Sequence, residues 1–332
     1  MTTSGKFLVT GGAGFIGSHL VEHLVTSGAS VVVLDNFRNG RRENLAFPGA
    51  ERLEIIEGDI VDPATCRRAM AGVDTVFHLA CLGVRHSLHS PIENHQVNAL
   101  GTLHVLEAAC EARVRRFVYV STSEIYGRAT EFPIRESCTP WPLTVYGSSK
   151  LAGEHYARSY FECYQLPVVC VRPFNNYGPR SHFEGDSGEV IPRFILRALA
   201  GQPPIIFGDG SHTRDFLYVK DCAETLARIA HADSLVGQVV NLGYGEELRI
   251  DTLARTVMAA IGRPDLQPVF EAPRPADVPK LWVDTSKLKA AIAFRPRVGL
   301  DEGIRHTLAH FKALYRENPA ALSQIKTKNW ES

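Results

Sequence analysis

The sequence predicts an α/β fold in which a doubly wound parallel sheet carries a smaller, interleaved C-terminal domain. Three observations support this prediction. Short, continuous apolar runs alternate with helix-length segments through the first half of the chain. A glycine-rich turn joins the first apolar run to the first helical segment. After about residue 175 the alternation stops, and polar loops and prolines separate the remaining elements.

The elements of the first half follow from their composition. Runs such as SVVVLD are β-branched and continuous, as expected for strands buried on both faces of a parallel sheet. The predicted strands cover residues 6–10, 30–35, 53–60, 73–80, 115–121 and 168–173. The predicted helices cover residues 15–26, 62–72, about 90–112, and 146–161. Asp62-Pro63 is typical of a helix start, and Ser90 with Glu93 predicts a capping box.

The second half has a different organisation. A polar loop at residues 181–189, whose glycines predict a mobile lid, precedes a helix at 191–201. Residues 203–210 predict a strand with a turn, and 239–243 a further strand of the main sheet. Three prolines within residues 272–280 exclude a helix there.

Composition narrows the class of protein. The chain has 332 residues, and its 36 Lys and Arg residues equal its 36 Asp and Glu residues. Without a basic field, neither a nucleic-acid partner nor an anionic membrane surface is expected. The N-terminus enters a strand without a leader pattern, and no apolar run is long enough to span a membrane. Seven scattered cysteines, never spaced as CxxC, predict reduced thiols in a cytoplasmic protein.

The turn TGGAGFIG at residues 10–17 predicts a dinucleotide site. Gly11, Gly14 and Gly17 permit a tight turn, close approach of the backbone to a pyrophosphate, and close packing of helix on strand. Asp35 ends the next strand, 18 residues beyond Gly17, where a carboxylate accepts a hydrogen bond from the adenosine ribose. This order is typical of a Rossmann-type domain. Asp35 favours NAD over NADP by repelling a 2′-phosphate, whereas Arg38 nearby favours the opposite.

Two further groups of residues predict chemistry. Tyr146 and Lys150 lie four apart on one helical face, where an ammonium, helped by a positive nicotinamide ring, lowers the pKa of a phenol. The strand at 115–121 runs into Thr122, Ser123 and Glu124, three polar groups at the end of an apolar run. The sequence therefore predicts that these three groups face a reacting molecule.

These motifs together resemble the extended short-chain dehydrogenase/reductase family, specifically its nucleotide-sugar epimerases and dehydratases. TGGAGFIGSHL, Asp35, GDI, HLAC, STSEIYG, YGSSK, RPFNNYGPR and GDGSHTRDFLYV match in order over nearly the whole chain. The resemblance implies an NAD-binding domain at residues 1–178, to which segments near 213–243 return, and a nucleotide-sugar-binding domain at 179–332.

The resemblance also implies roles for individual residues. The implied catalytic residues are Tyr146, Lys150, Thr122, Ser123 and Glu124. The implied NAD contacts are Gly11, Gly14, Phe15, Ile16, Gly17, Asp35, Asn36, Asp59, Ile60, Leu79, Ala80, Tyr146, Lys150 and Pro173. The implied contacts to a nucleotide-diphosphate sugar, with UDP favoured, are Arg85, Ser87, Asn175, Val190, Phe207, Arg214 and Arg274.

The motifs leave the reaction open. The order Thr-Ser-Glu resembles 4,6-dehydratases and glucuronate decarboxylases, in which Glu124 would serve elimination or decarboxylation. The segment CLGVRHSLHSP resembles the substrate loop of 4-epimerases, including those that act on glucuronate, with Arg85 facing a sugar carboxylate or a phosphate. We favour a 4-epimerase, because epimerisation tolerates Glu124 as a spectator that orients its loop. A non-catalytic NAD-binding protein is the third alternative.

Two smaller predictions complete the sequence analysis. His86, His89 and His95 cluster in the sequence, but no nearby cysteine or second carboxylate completes a tetrahedral set, so no metal is expected. The helix around residues 98–110 exposes small residues, and the family resemblance implies that it forms a homodimer interface with the Tyr146 helix.

Overall fold

A computed structural model describes residues 5–275 and 277–330, and its centre is a seven-stranded parallel sheet with strand order β11-β6-β5-β4-β1-β2-β3. The strands are β1 Lys6–Thr10, β2 Ser30–Asp35, β3 Leu53–Glu57, β4 Thr75–His78, β5 Arg116–Val120, β6 Val168–Pro173, β7 Asn175–Tyr177, β8 Ile205–Phe207, β9 Thr213–Arg214, β10 Phe216–Tyr218, β11 Val239–Leu242, β12 Leu248–Arg249 and β13 Val269–Glu271. The predicted α/β fold class is confirmed.

Helices cover both faces of this sheet and build the second half of the chain. They are α1 Phe15–Thr26, α2 Pro63–Ala69, α3 Val84–His89, α4 Pro91–His95, α5 Thr102–Glu111, α6 Val145–Tyr164, α7 Val190–Leu199, α8 Val219–Ile229, α9 Ile250–Ile261, α10 Ser286–Ile292 and α11 Leu300–Glu317. A π-helical segment, Gln96–Gly101, joins α4 to α5. Single 3-10 turns include Ser123–Tyr126 and Gly185–Ser187. None of the helices in the described ranges combines the length and apolar character of a membrane span.

The strand order creates a crevice beside β1. The chain winds outward from β1 through β2 to β3, then returns to the other side of β1 and winds through β4, β5 and β6. Loops that follow β1 and β4 therefore diverge to opposite faces at this point. In doubly wound sheets ligands bind in this crevice, at the carboxyl ends of the strands. The glycine turn follows β1 here, and Leu79 and Ala80 follow β4.

Successive side chains along each strand point to opposite faces of the sheet, and they divide the core into two layers. Val9 and Val33 pack with α1, α8 and α10 on one face, and Leu8 and Val32 pack with α2, α5 and α6 on the other. Each layer is buried, as expected for a parallel sheet covered on both faces. The sheet thus holds the crevice loops on a rigid, dry support.

The second half of the chain forms its own apolar cluster and also returns to the sheet. Helices α7, α9 and α11 pack around Phe194, Leu253 and Phe311. The small strand pairs β7–β10, β8–β13 and β9–β12 flank this cluster. β11 pairs with β6 in the main sheet, which confirms the strand predicted at 239–243. The division into domains at residue 178 stays a prediction.

The structure corrects several predicted elements. The helix expected at 90–112 is interrupted by the π-helical segment, and Ser90 makes no side-chain capping bond. The expected capping box fails because Glu93 bonds to Arg38 and His86 instead of closing back on the helix. The strand expected at 53–60 ends at Glu57, and the one expected at 203–210 covers only β8.

Candidate active site

A cavity of about 500 Å³ opens at the crevice and extends into the second half of the chain. One end is lined by the glycine turn and by Asp35, and the middle by Thr122 and Tyr146. The far end is lined by residues of α7, β8 and the segment around Arg274. A single elongated cavity therefore joins the predicted cofactor residues to the predicted substrate residues.

The glycine turn leaves the start of α1 open toward this cavity. Gly11 has a φ of +68°, which a side chain would strain, and a Cβ on Gly17 would stand 2.1 Å from the carbonyl oxygen of Gly11. Gly14 is the N-cap of α1 and supplies no side-chain capping bond. The first N–H groups of the helix and its partial positive charge are thus available to an anion. This arrangement fits the diphosphate of NAD.

Asp35 is held where the adenosine ribose would lie. Its carboxylate accepts the N–H of Ala13 at 2.9 Å and the N–H of Phe37 at 2.8 Å. Burial raises the pKa of Asp35, and the two backbone N–H groups oppose that rise. Asn36 donates to Asp59 at 2.8 Å on the same wall. Each carboxylate oxygen of Asp35 has a second lone pair, so the group fits a ribose hydroxyl.

Most of the sequence-predicted residues lie on the cavity wall. They are Gly11, Gly14, Phe15, Ile16, Gly17, Asp35, Asn36, Asp59, Ile60, Leu79, Ala80, Arg85, Thr122, Ser123, Glu124, Tyr146, Pro173, Asn175, Val190, Phe207, Arg214 and Arg274. Ser87 lies elsewhere, buried in α3 with its hydroxyl donating to the carbonyl of Val84 at 2.7 Å. The expected contact of Ser87 with substrate is therefore not supported by its position. Lys150 is buried behind the wall.

Thr122, Tyr146 and Lys150 come from three neighbouring pieces of structure. Thr122 is the N-cap of the 3-10 turn that follows β5, and its hydroxyl accepts the N–H of Glu124 at 3.2 Å. Tyr146 starts the first turn of α6, whose N-cap Thr144 accepts the N–H of Gly147 at 3.1 Å. One turn later, the ammonium of Lys150 lies 4.5 Å from the centre of the Tyr119 ring.

In the chain without NAD, burial dominates the electrostatics of these two groups. Burial raises the pKa of the Tyr146 phenol, and a hydrogen bond with Thr122 opposes that rise. Burial lowers the pKa of Lys150. The lowering of the Tyr146 pKa that is expected from Lys150 together with a positive nicotinamide ring stays a prediction, since it includes the charge of bound NAD.

The far end of the cavity is rich in arginine. Arg214 donates to Asp277 at 2.8 Å, while the buried Nε atoms of Arg85 and Arg274 have no hydrogen-bond partner among the described residues. Burial, and next the charge of neighbouring Arg85, lowers the pKa of Arg274 to about 9. Buried guanidinium donors without acceptors fit a phosphate or carboxylate ligand.

Glu124 lies between the catalytic group and these arginines. Burial raises its pKa, and the charges of Arg214 and Arg85 oppose that rise. It lines the cavity beside Ser123, and its side chain therefore faces the space in which a substrate would react. Both roles suggested by the sequence, loop spectator and acid–base group, are compatible with this position.

Two of the three histidines, His86 and His89, pair with carboxylates. His86 bonds to Glu93 at 3.0 Å, and His89 bonds to Asp186 in the 181–189 loop. His95 is exposed at the end of α4. No cluster of three or more potential metal-ligating side chains occurs in residues 5–275 and 277–330.

The sequence analysis missed a contribution from the end of the chain. Trp330 packs edge-on against Phe207, with ring centres 4.8 Å apart, and the Arg274 guanidinium lies 4.7 Å from the Phe207 ring and 5.5 Å from that of Trp330. Asn329 is buried and donates to the carbonyl of Gly188 at 3.1 Å. The only signal in the sequence is a tryptophan within the polar stretch KTKNWES.

The fold and the cavity define a dinucleotide-binding α/β enzyme, and comparison with known proteins identifies its family. The model of the NAD dependent epimerase/dehydratase family matches residues 7–243. The chain belongs to this family. It is an enzyme and its cofactor is NAD, which confirms the predicted family and cofactor and removes the non-catalytic alternative.

Individual relatives represent both candidate reactions. The chain is 37% identical over 311 residues to the UDP-glucose 4-epimerase of Mycolicibacterium smegmatis, covering 92% of this chain and 98% of that one. It is 35% identical over 323 residues to the UDP-N-acetyl-alpha-D-glucosaminuronate decarboxylase of Bacillus cytotoxicus, covering 93% and 98%. A solved structure of the UDP-N-acetylglucosamine 4-epimerase of Methanobrevibacter ruminantium, in complex with UDP-N-acetylmuramic acid, is similar with a TM-score of 0.89, at 33% identity, covering 93% and 99%.

Proposed function

We propose that this enzyme is a 4-epimerase of a UDP-linked hexose or hexuronate. The observation that carries the proposal is the placement of Thr122 and Tyr146 on the wall of the cavity. The same cavity is lined by the glycine turn and by the half-buried arginines Arg85, Arg214 and Arg274. The resemblance to a UDP-glucose 4-epimerase over 92% of the chain supports the same reaction.

The chain's own residues account for the positioning and the proton transfer. The glycine turn and Asp35 would hold NAD, which when bound would supply the acceptor and donor of a hydride at C4 of the sugar. Thr122 binds the 4-hydroxyl group, and Tyr146 removes its proton and later returns it. The ammonium of Lys150 supports the ionised phenol from behind the wall. At the other end, Arg274 and Asn175 bind the diphosphate.

A lyase is the second candidate, because a specific observation favours it. Glu124 lines the cavity and has a raised pKa, so it can donate a proton to a leaving hydroxyl group. The similarity to a decarboxylase supports this candidate as well. A 4,6-dehydratase or a UDP-glucuronate decarboxylase would share the oxidation at C4 and differ in the steps after it.

A panel of nucleotide sugars tests the proposal. Purified enzyme is incubated with UDP-glucose, UDP-glucuronate and their N-acetyl relatives, and the products are analysed by mass spectrometry and NMR. We expect one of them to give a product of unchanged mass with an inverted C4. The variant Tyr146→Phe should lose at least about 10²-fold in rate, because it removes the acid–base group. A product lighter by water or carbon dioxide would establish the lyase instead.

The proposed assembly is a homodimer whose interface is formed by the helix around residues 98–110 and by α6. Leu100 is 43% exposed and Tyr164 is 62% exposed on these helices, and a partner surface would cover both side chains. Light scattering should therefore give about twice the 36.6 kDa mass of the chain, and a mass of one chain would contradict the dimer. A cytoplasmic location stays a prediction.

A further inference from the structure

An arginine stands beside the adenosine end of the cavity. Arg38 follows Asp35 by three residues, and both side chains line the cavity wall. In proteins that bind NADP, an arginine near this position accommodates the 2′-phosphate. The sequence alone thus leaves two opposing signals, a carboxylate that repels the phosphate and a guanidinium that attracts it.

The structure shows that the guanidinium is already engaged. Nη1 of Arg38 bonds to Oε1 of Glu93, and Nη2 bonds to Oε2 of the same carboxylate at 3.1 Å. Glu93 lies on α4 and reaches Arg38 across 55 residues of chain. Its Oε2 also bonds to the ring of His86 at 3.0 Å. Both terminal nitrogens of Arg38 therefore point at a carboxylate of the chain itself.

The charges around Arg38 strengthen this arrangement. The hydrogen bond to Glu93 raises the pKa of Arg38, and the nearby charges of Glu93 and Asp59 raise it further. Asp35 lies on the same wall. The guanidinium thus interacts with two carboxylates, Glu93 and Asp59, and a third, Asp35, lines the same end of the cavity, where a 2′-phosphate would have to bind.

We propose that Glu93 is a specificity-determining residue that withholds Arg38 from the cofactor and thereby reinforces the preference for NAD over NADP. Asp35 repels the 2′-phosphate directly, and Glu93 acts by occupying Arg38, a cation that could compensate. The Arg38 and Glu93 side chains are each 44% exposed. Ion pairs of this kind are weak, so releasing Arg38 is expected to change affinity for NADP by about fivefold.

The variant Glu93→Gln tests this role, because glutamine keeps the size of the side chain and removes its charge. NADP⁺ is added to enzyme that carries bound NADH, and the fall in NADH fluorescence gives the concentration of NADP⁺ that displaces half of the NADH. We expect this concentration to fall about fivefold in Glu93→Gln, whereas that of NAD⁺ changes little. The double variant Arg38→Ala/Glu93→Gln should lose the gain, because the released guanidinium is its cause.

A matched control and a second readout complete the test. Glu111, the last residue of α5, forms a similar exposed, forked pair with Arg67 of α2. Glu111→Gln should therefore leave the half-displacing concentrations of NADP⁺ and NAD⁺ unchanged. The second readout is the set of dinucleotides released when the purified proteins are denatured, which does not require bound dinucleotide to exchange with added dinucleotide. Glu93→Gln should release a larger share of NADP than the wild type does. The proposal would be overturned if Glu93→Gln gave wild-type values in both readouts. It would also be overturned if the gain in NADP affinity persisted in the double variant that lacks Arg38.

Discussion

Glu124 distinguishes the two candidate reactions at the scale of single residues. Epimerisation requires only that C4 be oxidised and reduced, whereas elimination also requires an acid at the leaving group. Glu124→Gln keeps the size and hydrogen-bonding capacity of the side chain but cannot transfer an acidic proton. For a 4-epimerase, we expect turnover to stay within about tenfold of wild type in steady-state assays.

The opposite result would identify a lyase. In that case Glu124→Gln should lower product formation by about 10²-fold or more, because a general acid is missing. Oxidation at C4 would continue, and NADH would accumulate as absorbance near 340 nm. Ser121→Ala, a change of a nearby wall residue that has no proposed catalytic role, serves as the control for local disruption.

Most of the site residues that local motifs predicted line the cavity. The glycines, Asp35, Thr122 and Tyr146 lie within or next to contiguous motifs, and all of them reach the cavity. Trp330 and Asn329 lie more than a hundred residues from Phe207, so only the fold brings them together. Ser87 lies away from the cavity wall, because the short helix α3 turns its hydroxyl toward the carbonyl of Val84, and its contact with substrate stays a prediction.

At the scale of elements, one buried ion pair connects the catalytic helix to the sheet. Arg172 on β6 donates to both oxygens of Glu154 on α6, at 2.7 to 3.2 Å, and its Nη1 donates to the Tyr126 hydroxyl at 2.8 Å. Tyr126 ends the 3-10 turn that carries Glu124. This network therefore fixes α6 and the turn relative to each other.

Removing one partner of this pair should be costly. In Glu154→Ala, the buried guanidinium of Arg172 keeps its charge but loses its carboxylate, and we expect a loss of about 3–5 kcal/mol in the free energy of unfolding. Urea denaturation measures this loss. Asp265→Ala breaks an exposed pair with Arg263 and should leave the midpoint unchanged. Equal effects of the two variants would show that the buried pair does not stabilise the α6–β6 contact.

The strands of the sheet were predictable because their signal is local. Each strand is a short apolar run bounded by a turn or a helix start. Pairing in the sheet decides only which of these runs are neighbours. The helices α8, α9 and α11 were not predicted, although apolar residues such as Leu253 and Val257 recur at helical spacing. The π-helical segment between α4 and α5, which packs against α6, leaves no comparable mark in the sequence.

At the scale of the whole molecule, His19 links the cofactor-binding helix to the second half of the chain. It is buried in α1 and its Nε2 bonds to the carbonyl of Pro179 at 2.9 Å. Burial, and next the charge of Arg180, lowers its pKa to about 3. The unfolded chain binds this proton near pH 6.5, so acid favours unfolding.

The stability contributed by neutral His19 is complete above about pH 6.5 and is lost progressively as the pH falls toward 3. At pH 5 this single group should cost about 2 kcal/mol. His19→Gln keeps an N–H donor and does not titrate, so urea denaturation should show a smaller loss between pH 7 and pH 5. His155→Gln, at an exposed histidine of α6, should retain the loss of the wild type. The same loss in His19→Gln would contradict this assignment.

The fate of the hydrogen at C4 tests the central claim most directly. The UDP-sugar that reacts in the panel is prepared with deuterium at C4, incubated with the enzyme in ordinary water, and its product is analysed by NMR and mass spectrometry. If hydride is removed and returned within one cavity beside Tyr146, the product has unchanged mass, an inverted C4, and deuterium still at that carbon. Loss of the deuterium to solvent, or a product that has lost water or carbon dioxide, would contradict a 4-epimerase.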